Sequence, residues 1–282
     1  MPGARMIRVA LAVFTAMCLI VTGDTAGKLL TQGGIAPTFV AWSRFAIAAL
    51  VLLPFSGLRR DELPALLDWR VLLRAGLIAA AISSILTALR SEPIADVFGA
   101  FFVGPVVAYI LSVLLLGEAV TRTRSLLLAL GFAGVMLVVR PGFDGGAGMV
   151  FALLAGSLYG GYLTTTRWLA GQFRPRFLLI SQLIVGAVVL MPTGVAALPG
   201  GVDPMLAGLV VLSALASAAG NYLLVEVSRT TPATRVVPLI YTQLIAATLA
   251  GVVVFGTWPG PVALIGLAVI LTSGLASLRL RG

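Results

Sequence analysis

Apolar residues run through this chain in blocks of about twenty, separated by short clusters of Gly, Pro, Arg and Asp. Ten blocks fall near residues 7–31, 36–55, 70–89, 94–116, 124–140, 148–170, 175–198, 204–228, 233–255 and 260–278. A hydrocarbon core of about 30 Å is crossed by a helix of about 20 residues, so each block predicts a transmembrane helix. The blocks do not alternate apolar and polar with period two, which argues against a β-barrel. The predicted fold class is all-α: a polytopic membrane protein with ten transmembrane helices.

Composition agrees. Of 282 residues 60% are hydrophobic and 10% charged, against roughly a quarter charged in soluble domains. The net charge of +9 does not point to nucleic acid, because the basic residues sit at block ends instead of forming a face. With a cytoplasmic amino terminus, fifteen of the nineteen Lys and Arg fall on the cytoplasmic side, Arg70, Arg74, Arg167, Arg174 and Arg229 among them. The other side holds Lys28, Arg90 and Arg140, and Arg44 lies within a span. That bias predicts a multi-pass protein of the inner (plasma) membrane with both termini cytoplasmic. The first block lacks a convincing cleavage site and is expected to remain in place. The single cysteine, Cys18, is expected to be a small core residue.

Two stretches, "ALRSEPIADV" at 88–97 and "VSRTTPATRV" at 227–236, share one frame 139 residues apart. At offsets of 138 or 139, Pro37 falls on Pro175, Ser43 on Ser181, Pro54 on Pro192, Arg90 on Arg229, Pro93 on Pro232 and Gly117 on Gly256. A nearly constant offset indicates an internal duplication. Each copy holds five spans, an odd number, so the second enters the membrane from the opposite side. The expected organisation is two inverted five-helix repeats, residues 1–140 and 141–282, in one membrane domain. Inverted repeats recur in secondary transporters, where two halves exchange conformations around a central site.

The block "GIAPTFVAWSRFAIAALVLLPF" resembles the second helix of the drug/metabolite transporter superfamily in its EamA branch, with a leading proline and an aromatic-x-Arg-aromatic centre. "ALRSEPIADVFGAFFVGPVVAYILSVLLLGE" resembles the junction of that family's third and fourth helices, closing on Gly117 and Glu118. The resemblance covers the whole chain. It implies a transporter and not an enzyme, exporting small metabolites, most commonly amino acids or related amphiphilic solutes.

The absence of histidine, with only one cysteine, excludes Ser-His triads, histidine proton relays and thiolate clusters, and no metal or cofactor is expected. "GDTAGKLL" at 23–30 is one residue short of a phosphate-binding loop and has Leu29 where Ser or Thr is needed. Energy would therefore come from an ion or substrate gradient. The expected partners are a small-molecule substrate and the lipid bilayer, with no nucleic acid, and a homodimer stays open.

Ionisable groups within a span cost about 2.5–3.5 kcal/mol each and commonly face a cavity. Arg44 either binds a substrate carboxylate or is held structurally by backbone carbonyls and helix ends. Asp24 and Lys28, four apart, are expected to pair on one face, with Asp24 alternatively a proton or amine site. Glu92 and Glu118 lie at span ends and are expected in water. The neutral candidates for a cavity are Phe98, Phe101 and Phe102, then Tyr159 and Tyr162, then Asn221 and Tyr222, and finally Tyr241 and Gln243. An apolar cavity with a few placed hydroxyls and amides suits an amphiphilic solute. Pro93, Pro105, Pro232 and Pro238 are candidate hinges. The glycine pairs 23/27, 156/160 and 131/134 permit close helix approach.

The expected function is a secondary transporter working by alternating access through a central cavity. A proton-coupled multidrug or quaternary-amine exporter is the alternative, and an intramembrane enzyme is disfavoured because clustered carboxylates are missing.

Overall fold

The computed structural model describes residues 2–92, 94–119, 121–139, 147–201, 203–256, 258 and 260–279. Among these the chain is helical throughout, with no strand. The α-helices are α1 (Pro2–Gln32), α2 (Pro37–Leu52), α3 (Trp69–Ser91), α4 (Ile94–Phe101), α5 (Val103–Leu116), α6 (Arg122–Val139), α7 (Ala147–Leu169), α8 (Pro175–Val195), α9 (Pro204–Thr230), α10 (Ala233–Ile240), α11 (Gln243–Phe255) and α12 (Pro261–Arg279). Seven helical stretches, 7–32, 37–55, 69–91, 97–116, 147–169, 175–195 and 204–230, are long and apolar enough to cross a membrane. Shorter apolar helices occupy 125–137, 243–255 and 264–273.

The boundaries follow local chemistry. Pro37, Pro175 and Pro204 each open a helix at a position whose N–H would be unused. Asp68 caps α3 by accepting from the Arg70 N–H at 2.9 Å, and Asp203 caps α9 by accepting from the Leu206 N–H at 2.7 Å. Helices α5 and α11 both stop at a left-handed glycine, Gly117 (φ 62°) and Gly256 (φ 65°).

One apolar run is interrupted in a way that matters for the site. Helix α4 ends at Phe101 and α5 begins at Val103, with Phe102 between them at φ −71° and ψ 2°. Pro105 has no N–H to offer the Phe101 carbonyl, so the helical ladder fails at that point. A similar break separates α10 from α11 at Tyr241 and Thr242, where Leu244 and not proline stands three residues on.

In the packing, α1 lies along α9, α3 along α7, α2 against α8 and α6 against α12. Glycines set the closest approaches. A Cβ at Gly134 would lie 2.9 Å from the Gly266 carbonyl, and one at Gly23 3.0 Å from the Ser213 carbonyl. The side chains left outside, such as Leu50, Phe55, Leu114 and Val253, are apolar, as a lipid-facing surface requires.

A 3-10 stretch, Arg60–Leu67, joins α2 to α3 and is tied to the start of α8 by Glu62, which bonds Arg174 at 2.6 Å. The hydrogen bond from Arg174 holds the Glu62 carboxyl below its ordinary value. A carboxylate depressed in the folded state contributes stability above its unfolded pKa and loses it as pH falls through the folded one. The pair is partly exposed, so the contribution is under about 1 kcal/mol. Glu62→Gln is expected to melt slightly below the parent protein near neutral pH, the gap closing as a thermal scan in detergent is moved below about pH 4.

Candidate functional site

A cluster of buried polar contacts surrounds Arg44. Its Nε donates to Ser213 Oγ at 2.8 Å, one terminal nitrogen to Asp24 Oδ1 at 2.7 Å and the other to the Gly23 carbonyl at 2.7 Å. Arg44 and Asp24 are both almost fully buried. The guanidinium thus ties α1, α2 and α9 together through three directions of one planar fork. Gly27 makes room for it, since a Cβ there would lie 2.5 Å from the guanidinium nitrogen.

This corrects one expectation. Asp24 pairs with Arg44 and not with Lys28, whose Nζ instead donates to the Leu89 and Glu92 carbonyls at 3.1 and 3.2 Å. Helical spacing had set the face on which Asp24 and Lys28 lie; the competing partner came from α2. Glu118, expected in water, is largely buried. It accepts from Arg167 Nε at 3.2 Å and from the Ala233 N–H at 3.0 Å, where α10 begins.

Arg74 was assigned to the cytoplasmic surface and is instead fully buried. It donates to Thr166 Oγ1 at 2.9 Å, the Leu178 carbonyl at 2.8 Å and Tyr162 Oη at 3.1 Å, and its guanidinium carbon lies 4.8 Å from the Tyr162 ring centre. Tyr162 in turn donates to Gln182 Oε1 at 3.1 Å. The duplicated frame held the missed signal: Arg74 stands 139 residues before Ser213, and Gln182 stands 138 after Arg44.

The aromatic candidates come together as one ladder. Phe98 meets Phe101, and Phe101 meets both Tyr159 at 5.1 Å and Phe102 at 6.2 Å. Tyr159 stacks on Tyr162 at 5.7 Å, and Phe102 meets Tyr241 at 5.6 Å. Gly131 leaves space for the Tyr241 ring. Tyr222 does not join them. It is half-buried, while its neighbour Asn221 is buried, as the turn of about 100° between successive helical residues requires.

At the centre is a cavity of about 30 Å³ bordered by Asp24, Arg44, Phe101, Tyr159, Asn221 and Gln243, among others. That volume is about enough for one water molecule. Three of its polar atoms, Tyr159 Oη, Asn221 Oδ1 and Gln243 Oε1, are buried without a hydrogen-bond partner among the described residues. Gln243 reaches the cavity because α11 starts afresh at that residue. Of the candidate hinges, Pro105 follows the break at Phe102, Pro232 precedes α10, Pro238 lies within α10, and Pro93 lies outside the described residues.

A helical membrane protein with a small, mostly apolar cavity among its helices, carrying a few placed polar groups, is the form of a solute carrier. Comparison with protein families matches the EamA-like transporter family over residues 7–140 and 146–278. The chain belongs to that family and is a multi-pass membrane transporter. A riboflavin transporter of Rhizobium johnstonii is 30% identical over 247 residues, covering 85% of this chain and 80% of the relative. A riboflavin transporter of Brucella anthropi is 29% identical over 161 residues, 55% of each chain. A solved crystal structure with 20% identity superposes with a TM-score of 0.76, over 97% of this chain and 99% of its own. At that identity the likeness establishes the fold.

Proposed function

We propose that this chain is a ten-span secondary transporter of the bacterial inner membrane, carrying a neutral, flat heteroaromatic solute with a polar edge. Riboflavin is the first such solute to test. The observation carrying the reading is the set of three unpartnered buried polar atoms at one cavity, Tyr159 Oη, Asn221 Oδ1 and Gln243 Oε1. Leaving a buried polar atom unpaired costs about 1–3 kcal/mol, a cost that a ligand with matching donors and acceptors removes. Ring faces at Phe101 and Tyr159 offer a stacking surface beside them. The relatives named riboflavin transporter support the same chemistry.

The Arg44–Asp24 pairing favours a neutral solute over the amino acids implied by the resemblance. A zwitterion needs an accessible cation and an accessible anion, and here each satisfies the other. The same pairing weighs against Asp24 as the acid of a cation exporter.

The matched family segments and the pairing of α1 with α9 and α3 with α7 support two inverted halves, each with five spans once α4–α5 and α10–α11 are taken as single broken helices. Rocking of one group of helices against another would open the centre to each side in turn.

Counterflow in proteoliposomes tests the substrate without assuming a driving ion. Labelled riboflavin is expected to accumulate above empty liposomes when unlabelled riboflavin is loaded, and Asn221→Leu and Gln243→Leu are each expected to raise KM about three- to tenfold. Counterflow of an amino acid with none of riboflavin would reverse the substrate assignment. Uptake into inside-out vesicles would identify export, and into right-side-out vesicles import.

A further inference from the structure

Two cations outside the cavity, Lys28 buried and Arg167 partly buried, occupy matching places. Lys28, near the end of α1, donates to the Leu89 carbonyl in the last turn of α3 and to the Glu92 carbonyl just beyond it. Arg167, near the end of α7, donates at 2.8 Å to the Ser228 carbonyl in the last turn of α9. Lys28 and Arg167 are 139 residues apart, and so are Leu89 and Ser228. Each cation sits on carbonyls at a helix carboxyl end, where the helix dipole is negative.

The two contacts lie at opposite ends of the molecule. Arg167 is next to Trp168, whose ring meets that of Trp69, the first residue of α3, at 5.8 Å. Lys28 is seated at the other end of the same helix. The 23 residues of α3 span about 34 Å, which is about the thickness of the hydrocarbon core. The cavity, bordered by Ile78, Ala81, Ile82 and Ile85 of α3, lies between them. The seats also differ: Lys28 bonds two carbonyls and Arg167 one, and Arg167 also bonds Glu118, which holds the start of α10.

We propose that Lys28 and Arg167 are the two closing contacts of the transport cycle, one for each face of the membrane, and that releasing one opens the cavity to its own side. Both are made at once in this structure, with only the small central cavity left between them. Opening at the Lys28 end separates α1 from the end of α3. Opening at the Arg167 end separates α7 from the end of α9, and frees α10 from Glu118.

The inference rests on the transporter reading but not on the identity of the solute, and its test needs no substrate. In a Cys18→Ala background, Ser217→Cys places a nearly isosteric thiol at the cavity. Its labelling by a membrane-impermeant thiol reagent is then timed in right-side-out and inside-out vesicles. Lys28→Gln is expected to speed labelling about tenfold from the face where α3 ends, and Arg167→Gln about tenfold from the opposite face. Arg167→Lys keeps the charge but loses the fork, so it is expected to move the same way by a smaller factor. It serves if the glutamine variants do not accumulate as folded protein. Labelling at the parent rate in these variants, or acceleration from the same face in both positions, overturns the proposal. Loss of riboflavin counterflow with side-specific labelling intact would remove the solute assignment and leave the two closing contacts standing.

Discussion

Arg44→Ala is expected to lower the stability of the detergent-solubilised protein by about 3–5 kcal/mol and to abolish counterflow. Removing the guanidinium leaves the Asp24 carboxylate buried and uncompensated, and it strips partners from Ser213 and the Gly23 carbonyl. Arg44→Lys is expected to recover little. An ammonium is a compact charge on a flexible stem and does not reproduce three bonds fixed in one plane. The double variant Asp24→Leu with Arg44→Met is expected to regain part of the lost stability, since apolar replacement of both members avoids the isolated charge. Thermal unfolding of the parent, Asp24→Leu, Arg44→Met and their double variant completes the cycle. A large coupling energy means the pair is architecture. Were Arg44→Ala as stable as the parent and yet inactive, the arginine would belong to the solute, and the preference for a neutral substrate would be reversed.

That cycle also marks the limit of what the sequence could reveal. The presence of a deep arginine was legible, because hydropathy identifies a charge in the middle of an apolar block. Its partners were not, because they come from α1 and α9, 20 and 169 residues away. Lys28 illustrates the same limit: a helix of known pitch fixes the angle between Asp24 and Lys28 but says nothing of which neighbour each one faces. Arg74 was misplaced for a different reason. It stands five residues after Trp69, about 7.5 Å into the helix, and a charge that close to a block end reads as interfacial. Only its burial against Thr166, Tyr162 and Leu178 places it in the core. The aromatic candidates lie together in one ladder, as deep tyrosines away from a lipid interface lead one to expect. Asn221 borders the cavity and Tyr222 does not, since two consecutive helical residues do not share a face.

Gly156→Ala is the second substitution expected to be severe. A Cβ at Gly156 would run into the Phe101 carbonyl, the one for which Pro105 supplies no helical donor. The same interlock continues along α7. A Cβ at Gly104 would lie 2.5 Å from the Gly156 carbonyl, and one at Gly160 2.6 Å from the Gly104 carbonyl. These obstacles are backbone atoms and cannot swing aside as a side chain would, so α4 and α5 must move as a unit away from α7. The expected cost is about 3 kcal/mol or more, even though alanine is the better helix former by about 1 kcal/mol. Gly161→Ala isolates that propensity term. At Gly161 the nearest atoms are the ends of the flexible Leu77 side chain at 3.4 and 3.5 Å, so the substitution is expected to stabilise by about 0.5–1 kcal/mol. Opposite signs at two glycines five positions apart on one helix, measured by thermal unfolding, would tie the close approach to structure. Equal signs would mean that the gap between the end of α4 and α7 is looser than these contacts require. The functional consequence follows from the same geometry. Phe101 carries the ring that meets Tyr159 at 5.1 Å, so pushing its carbonyl away from Gly156 separates the aromatic ladder on one wall of the cavity. Transport in Gly156→Ala is therefore expected to fall further than its loss of folded protein accounts for, whereas Gly161→Ala is expected to transport like the parent.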